Sequence, residues 1–229
     1  MVGKAPDVGS TKTRLSPPLT PAQAAALYGA FLQDVAALAV GLGWDGATLI
    51  YPPRPGAEAA LGALCPPALA LRPQAGAGLG DALADAFASH LAADFDQVVL
   101  IGSDSPTLPR SIVELASQAL VDHDLVIGPS ADGGYYLIGM TRPHLGVFDG
   151  ITWSTDLVYG QTLQRAEELS LHVAAVDQWY DVDTAADLDH LRRELHGRLP
   201  EVAPATRAAL ARLDAALAHR GRGTAGTED

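Results

Sequence analysis

The stretch Gln97-Val98-Val99-Leu100-Ile101-Gly102-Ser103-Asp104-Ser105-Pro106 constrains this chain more than any other. Four consecutive apolar residues, three of them β-branched, run into a glycine and then an aspartate. A run this short and this apolar predicts a strand buried on both faces, as in a parallel sheet, ending in a tight turn. Asp104 then stands just past the strand's carboxyl end, the edge where open α/β sheets bind ligands. A carboxylate there can hold a hard cation such as Mg²⁺, which takes oxygen ligands and often bridges to phosphates. It can equally cap the turn or the next helix. Pro109 suits the first turn of a helix over Pro109–Val121.

The flanking sequence supplies layers for that strand. Met1–Leu19 reads as a loop; Thr20 caps and Pro21 opens a helix to about Leu42, with Leu27, Phe31, Val35 and Leu38 on one face. Strands are expected at Ala47–Tyr51, Ala68–Arg72, Leu125–Gly128, Tyr135–Met140 and Leu171–Val176. Helices are expected at Ala57–Leu64, Leu79–Leu91, from a Ser154-Thr155 cap to Leu169, at Ala185–Leu195 and at Ala205–Ala218. This alternation means β-α-β units, a mostly parallel twisted sheet and a three-layer α/β/α sandwich. One domain is expected over residues 1–200, followed by a C-terminal helix and a polar tail, Gly221–Asp229, that frays.

Composition narrows the function classes. A formal net charge of −12 over 229 residues argues against a nucleic-acid surface, which needs a basic stripe, but not against a nucleotide. The one cysteine, Cys65, allows no internal disulfide and suits a reducing, cytoplasmic setting. Without histidines at ligand spacing to it, no structural zinc site is expected. No run of about 18 apolar residues occurs, so no membrane span is expected.

Five clusters can carry chemistry. Lys4, Lys12 and Arg14 lie in a glycine-bearing loop before a helix, where backbone amides and cations make a phosphate cradle. The same residues also suit a solvated basic loop, and the spacing is not that of a P-loop, which has glycine directly before the lysine. Asp132-Gly133-Gly134, between two strands, is a hairpin signal that also permits close approach to a substrate. Tyr180-Asp181-Val182-Asp183-Thr184 places Asp181 and Asp183 on one side of an extended segment. Thr184 and Asp187 there read as a helix start, which leaves the pair of aspartates unexplained. Gln74 through Gly80 is glycine-rich; Gln74 could read a base edge, or the segment is a connector. Trp153-Ser154-Thr155 could contact a substrate, or serve as a cap with a core tryptophan.

Taken in order, Lys-x-Pro…Lys-Thr-Arg-Leu, Gly-Ser-Asp-x-Pro, Asp-Gly-Gly-Tyr-Tyr, Trp-Ser-Thr and Asp-Val-Asp-Thr resemble a bacterial family of GT-A-fold, glycosyltransferase-like proteins of unknown function, some associated with radical-SAM or selenodomain proteins. More distantly they are similar to 2-phospholactate and molybdenum-cofactor guanylyltransferases. The resemblance spans about Lys4 to Leu191. It implies a nucleotide-diphospho-sugar transferase (GT-A) type of α/β fold and a transferase with Mg²⁺ or Mn²⁺ as cofactor. It implies Asp104 and Asp183 as metal ligands, with Lys12 and Asp104 central to catalysis. Lys4, Lys12, Arg14, Gln74 and Gly80 would then face the nucleotide. Asp132, Gly133, Gly134, Trp153, Ser154 and Thr155 would face the acceptor. The partners implied are a nucleotide or nucleotide sugar and a small-molecule acceptor. Glycosyl transfer is the first reading, nucleotidyl transfer to a small phosphorylated acid the second, and a non-catalytic nucleotide-binding protein the third. The family begins with a strand of about six apolar residues, whereas only Met1-Val2-Gly3 precede Lys4. A stub with one or two ladder bonds is expected beside Gln97–Gly102, or else a start upstream of Met1.

Overall fold

The computed structural model describes residues 1–93 and 95–223. Helix α1 (Pro21–Gly41) begins at Thr20, whose hydroxyl accepts from the Gln23 amide while Gln23 Oε1 accepts from the Thr20 amide. This reciprocal cap satisfies amides that a first turn leaves unpaired. There follow β1 (Thr48–Tyr51), α2 (Ala57–Leu64), β2 (Ala70–Pro73), α3 (Leu79–Leu91), β3 (Val98–Ile101) and α4 (Arg110–Ala119). The second half holds β4 (Leu125–Pro129), β5 (Tyr135–Met140), α5 (Val158–Glu168), β6 (Val173–Ala175), α6 (Ala185–His196) and α7 (Pro204–Gly223). Residues 224–229 of the expected tail lie outside the described residues; Gly221–Gly223 belong to α7.

The strands form a parallel pair, β2-β1, and a four-stranded sheet in the order β3-β5-β4-β6. Val2 joins them by parallel bridges to Ile50 and Gly102. The stub makes more bonds than expected: Val2 N donates to Ile101 O (2.9 Å), Gly3 N to Ile50 O (3.0 Å) and Ile50 N to Met1 O (2.9 Å). These close the gap between β1 and β3 at their carboxyl ends. Toward their amino ends a cavity of ≈ 510 Å³ remains, lined by Thr48, Val98 and Val99 among others. It lies away from Asp104, at the other end of β3, and takes no part in the site described below.

Adjacent residues within a strand face opposite layers, as the period of two requires. Leu49, Ile101, Val126 and Leu137 pack on the face covered by α1, α4 and α6. Ile50, Leu100, Leu125 and Ile138 pack on the face covered by α3 and α5. That is the three-layer sandwich. The sheet is mostly parallel, as expected, and β5 runs antiparallel between β3 and β4, the return that the Asp-Gly-Gly hairpin signal implies. An apolar run reports burial on both faces and says nothing of a neighbour's direction. The direction is set by the tight turn after β4, which sends the chain straight back.

Several boundaries differ from expectation: β2 is Ala70–Pro73 rather than Ala68–Arg72, β6 is Val173–Ala175 rather than Leu171–Val176, and α7 is Pro204–Gly223 rather than Ala205–Ala218. Helix α4 ends at Ala119 rather than Val121. Ser154 and Thr155 do not cap α5, which begins at Val158. Ser154 takes φ 66°, and Thr155 Oγ1 donates to Thr152 O (2.7 Å) while accepting from Leu157 N (3.3 Å), so both residues are spent in a turn. Helix α1 is long and apolar enough to cross a membrane by length and composition, but its apolar stretch is mostly buried inside this fold. Its Asp34 accepts from Ala205 N (3.0 Å) and Thr206 N (2.7 Å), pinning the start of α7 to α1. Burial raises the Asp34 pKa, and those two amides oppose the rise.

Candidate active site

The site grows from the turn after β3. Gly102 N donates to Tyr136 O (2.8 Å), so the strand stays paired to its last residue and Asp104 begins the loop beyond. Val182 N donates to Asp104 O (2.9 Å), which draws the segment before α6 alongside. Thr184 then caps α6 in a reciprocal pair with Asp187, as expected, and Asp183 is held one residue outside the helix.

The loop before α1 brings the third member. Leu15, fully buried, anchors the 3-10 turn Thr13–Leu15, and Thr11 Oγ1 accepts from Asp7 N (2.9 Å). Between these anchors Lys12 adopts φ 50°, a left-handed conformation that costs an L-residue about 1–2 kcal/mol. The turn aims its side chain inward, 5% exposed. Nζ lies 2.5 Å from Asp104 Oδ1 and 2.6 Å from Asp183 Oδ1. Burial alone would lower the Lys12 pKa; the two carboxylates outweigh it and leave it raised. The ammonium also sits 5.8 Å from the Tyr28 ring centroid. Tyr28 supports the same corner, its hydroxyl accepting from Lys4 N (3.0 Å) and sharing a hydrogen bond with Ser103 Oγ (2.8 Å).

A third carboxylate, Asp181, lies behind the pair. It accepts from Ser105 Oγ (2.6 Å) and Ser130 Oγ (3.0 Å), tying the loop after β3 to the loop after β4. Burial pushes its pKa up to about 6; the two hydroxyls oppose that rise, and the neighbouring charges of Asp104 and Asp132 add to it. Asp181 is visible in the sequence as the aspartate that a helix start does not require. Its partners, Ser105 and Ser130, carry no local signal, because the contact exists only once three loops meet.

The remaining candidates fall into neighbouring groups. The β4–β5 connection is the expected hairpin, with Gly133 at φ 89° and Gly134 N donating to Asp132 Oδ1 (3.0 Å). A Cβ on Gly133 would stand 2.3 Å from Asp156 O, so this loop is docked on the turn that holds Ser154 and Thr155. Trp153 packs against Phe148 and Tyr135, and a Cβ on Gly80 would meet its indole nitrogen at 2.7 Å. That contact gives Gly80 a packing reason and half-buries the tryptophan. Lys4 and Arg14 are exposed on the loop that carries Lys12. Gln74 follows β2, its amide donating to Tyr51 O (2.8 Å). Beside it an open groove between the ends of β1 and β2 is lined by Tyr51, Arg54, Glu58 and Pro73.

A cation fits the acidic pair on donor chemistry and spacing. Both oxygens that hold Lys12 are hard donors, and they lie at most about 5 Å apart, the two ammonium distances laid end to end; Mg²⁺–oxygen bonds are about 2.1 Å. Both aspartates are about two-fifths exposed, which leaves room for water or phosphate to complete a coordination shell. Among the described residues no cluster of three or more ligating side chains occurs. Two carboxylates plus phosphate oxygens is the usual way Mg²⁺ is held at nucleotide sites.

A mixed sheet of this order, with acidic residues gathered at the strands' carboxyl ends, defines the nucleotide-diphospho-sugar transferase type of fold. Residues 40–155 match the family described as "Uncharacterized protein conserved in bacteria (DUF2064)", and the chain belongs to that family. It is similar to a "putative nucleotide-diphospho-sugar transferase" from Desulfovibrio desulfuricans G20, with 34% identity, 93% of each chain covered and a TM-score of 0.85. It shares its fold with a CMP:2-keto-3-deoxy-manno-octonic acid synthetase complexed with CTP, at 14% identity and a TM-score of 0.51, over 74% of this chain and 88% of that one. No curated protein matches.

Proposed function

We propose that this protein is a transferase that uses a nucleotide-activated donor, and that it transfers a glycosyl group from a nucleotide sugar with Mg²⁺ or Mn²⁺ as cofactor. The observation that carries this reading is the convergence of Lys12, Asp104 and Asp183 at one sheet edge. The likeness to the Desulfovibrio protein supports the donor class.

In this reading Asp104 and Asp183 hold the cation, which when bound polarises the donor's phosphates and offsets charge on the leaving group. Lys12 carries a second positive charge to the same phosphates, and Arg14 and Lys4, on the rim, extend the cradle. The groove beyond β1, with Gln74 beside it, takes the base. The Asp132–Gly134 hairpin and the turn at Trp153–Thr155 shape the acceptor side. Nothing in this arrangement calls for a covalent nucleophile.

Nucleotidyl transfer is the second reading. It is favoured by the placement of the lysine directly against both acidic residues, since a lysine and a cation on the same phosphates also suit attack at phosphorus. The two readings separate on products. With Mn²⁺ and a panel of nucleotide sugars, the first expects release of a nucleoside diphosphate. With nucleoside triphosphates and small phosphorylated acids, the second expects pyrophosphate. Nucleotide binding with neither product returns the chain to a non-catalytic nucleotide-binding role.

A further inference from the structure

The position a bridging cation would take is filled by the protein's own ammonium group. Lys12 Nζ touches Asp104 Oδ1 and Asp183 Oδ1, one oxygen of each carboxylate in the pair proposed to hold the cation. Two cations on one pair of oxygens would stand within contact distance of each other, and their repulsion is little screened beside a side chain that is 5% exposed. The lysine therefore has to leave before an ion can bridge these two oxygens. Leaving is costly on its own, because a buried ammonium without a counter-charge is strongly unfavourable.

We infer that Lys12 is a displaceable counter-ion that keeps bare divalent metal off the Asp104–Asp183 pair and moves onto the donor's phosphates when metal and nucleotide bind together. The inference rests on the reading of that pair as the cation site. The displaced ammonium needs a new anion, and a diphosphate supplies one at the same sheet edge. The stem has four rotatable carbon–carbon bonds, long enough to change partner while its backbone stays anchored by Thr11 and Leu15. The loop just before it is open: Val8 is 66% exposed, and a Cβ on Gly9 would meet nothing within 4 Å. Metal and nucleotide thus favour each other's binding by relieving one shared obstacle, which is a coupling in the thermodynamic sense.

The test is calorimetry of MnCl₂ binding to the wild-type protein, K12M, K12Q and K12R, alone and with GDP, UDP, CDP or ADP in turn. The wild type is expected to bind Mn²⁺ alone weakly, and more tightly, by about fivefold or more, with the nucleotide it accepts. K12M should bind bare Mn²⁺ at least about fivefold more tightly than the wild type and show less gain from nucleotide. K12R, which keeps the charge, should remain as weak as the wild type for bare metal. K12Q gives the same reading as K12M should the methionine variant fail to fold, with circular dichroism as the check on each. Neutral variants that bind bare Mn²⁺ no more tightly than the wild type overturn the counter-ion proposal while leaving the cation site standing. A wild type that binds no Mn²⁺ with any of the four nucleotides, and a D104N variant that behaves identically, overturns the reading of the pair itself.

Discussion

Asp181 shows how a single side chain can tax the fold it organises. Its ordinary pKa near 3.8 is pushed up to about 6 chiefly by burial, so the folded protein binds its proton more tightly than the unfolded chain does. Stability from this group is therefore greatest below about pH 4, falls as pH rises toward about 6, and stays reduced above that. The full cost is on the order of 3 kcal/mol at neutral pH. An Asp181→Asn variant removes the ionisation while keeping an acceptor for Ser105. Its unfolding free energy is expected to lose the fall between pH 4 and 6 that the wild type shows in urea titrations. An unchanged slope in the variant would remove Asp181 as its cause. At this scale the sequence was informative wherever a residue type alone implies chemistry. Asp104, Asp183 and Lys12 are readable because a carboxylate after an apolar strand, or a lysine in a glycine-bearing loop, invites a ligand. The direct Lys12 contacts were not readable, since they join distant parts of the chain, the one to Asp183 across 171 positions.

Gly133 and Gly160 place opposite demands on their elements. Gly133 sits at φ 89° with the Asp156 backbone against its Cα, so a side chain there meets both strain and collision. Gly133→Ala is expected to destabilise the fold by at least about 2 kcal/mol and to loosen the hairpin on the acceptor side. Gly160 lies inside α5 with open space where a Cβ would go. Gly160→Ala should stabilise by about 0.5–1 kcal/mol, because it lowers the entropy of the unfolded chain without strain. Thermal unfolding of the two variants side by side checks both signs; equal melting temperatures would contradict the docking of the hairpin. Elements were legible where caps and periodicity agree, as at Thr20 and Thr184. Ser154 and Thr155 are the exception: Ser154 takes a left-handed backbone and the Thr155 hydroxyl serves a turn ahead of the helix. Local hydrogen bonds to the backbone compete with capping at such residues, and the sequence shows the residue types but not which contact wins.

Across the whole molecule, the strand–helix alternation was sufficient to establish the layers and the mostly parallel sheet. The hairpin signal gave the reversal of β5 against β4, but not that β5 inserts between β4 and β3, because that depends on which strands become neighbours. The same reversal matters for the site: it brings the Asp132–Gly134 hairpin back to the edge where β3 delivers Asp104. Asp34 makes a comparable long-range tie, holding the first amides of α7 against α1. Asp34→Ala leaves those buried amides unpaired, and a loss of about 1–3 kcal/mol in unfolding free energy is expected, with α7 exchanging its amide hydrogens faster.

The proposed chemistry depends on one convergence of charge, Lys12 between Asp104 and Asp183. A crystal of the protein grown with Mn²⁺ and a nucleoside diphosphate, with an anomalous difference map recorded at the manganese edge, tests it directly. The expected result is one peak about 2.2 Å from carboxylate oxygens of both Asp104 and Asp183, near the usual length for such metal–oxygen bonds, with Lys12 Nζ shifted onto a phosphate oxygen. A bound nucleotide with Lys12 still bridging the two aspartates, or manganese bound elsewhere, would contradict the account.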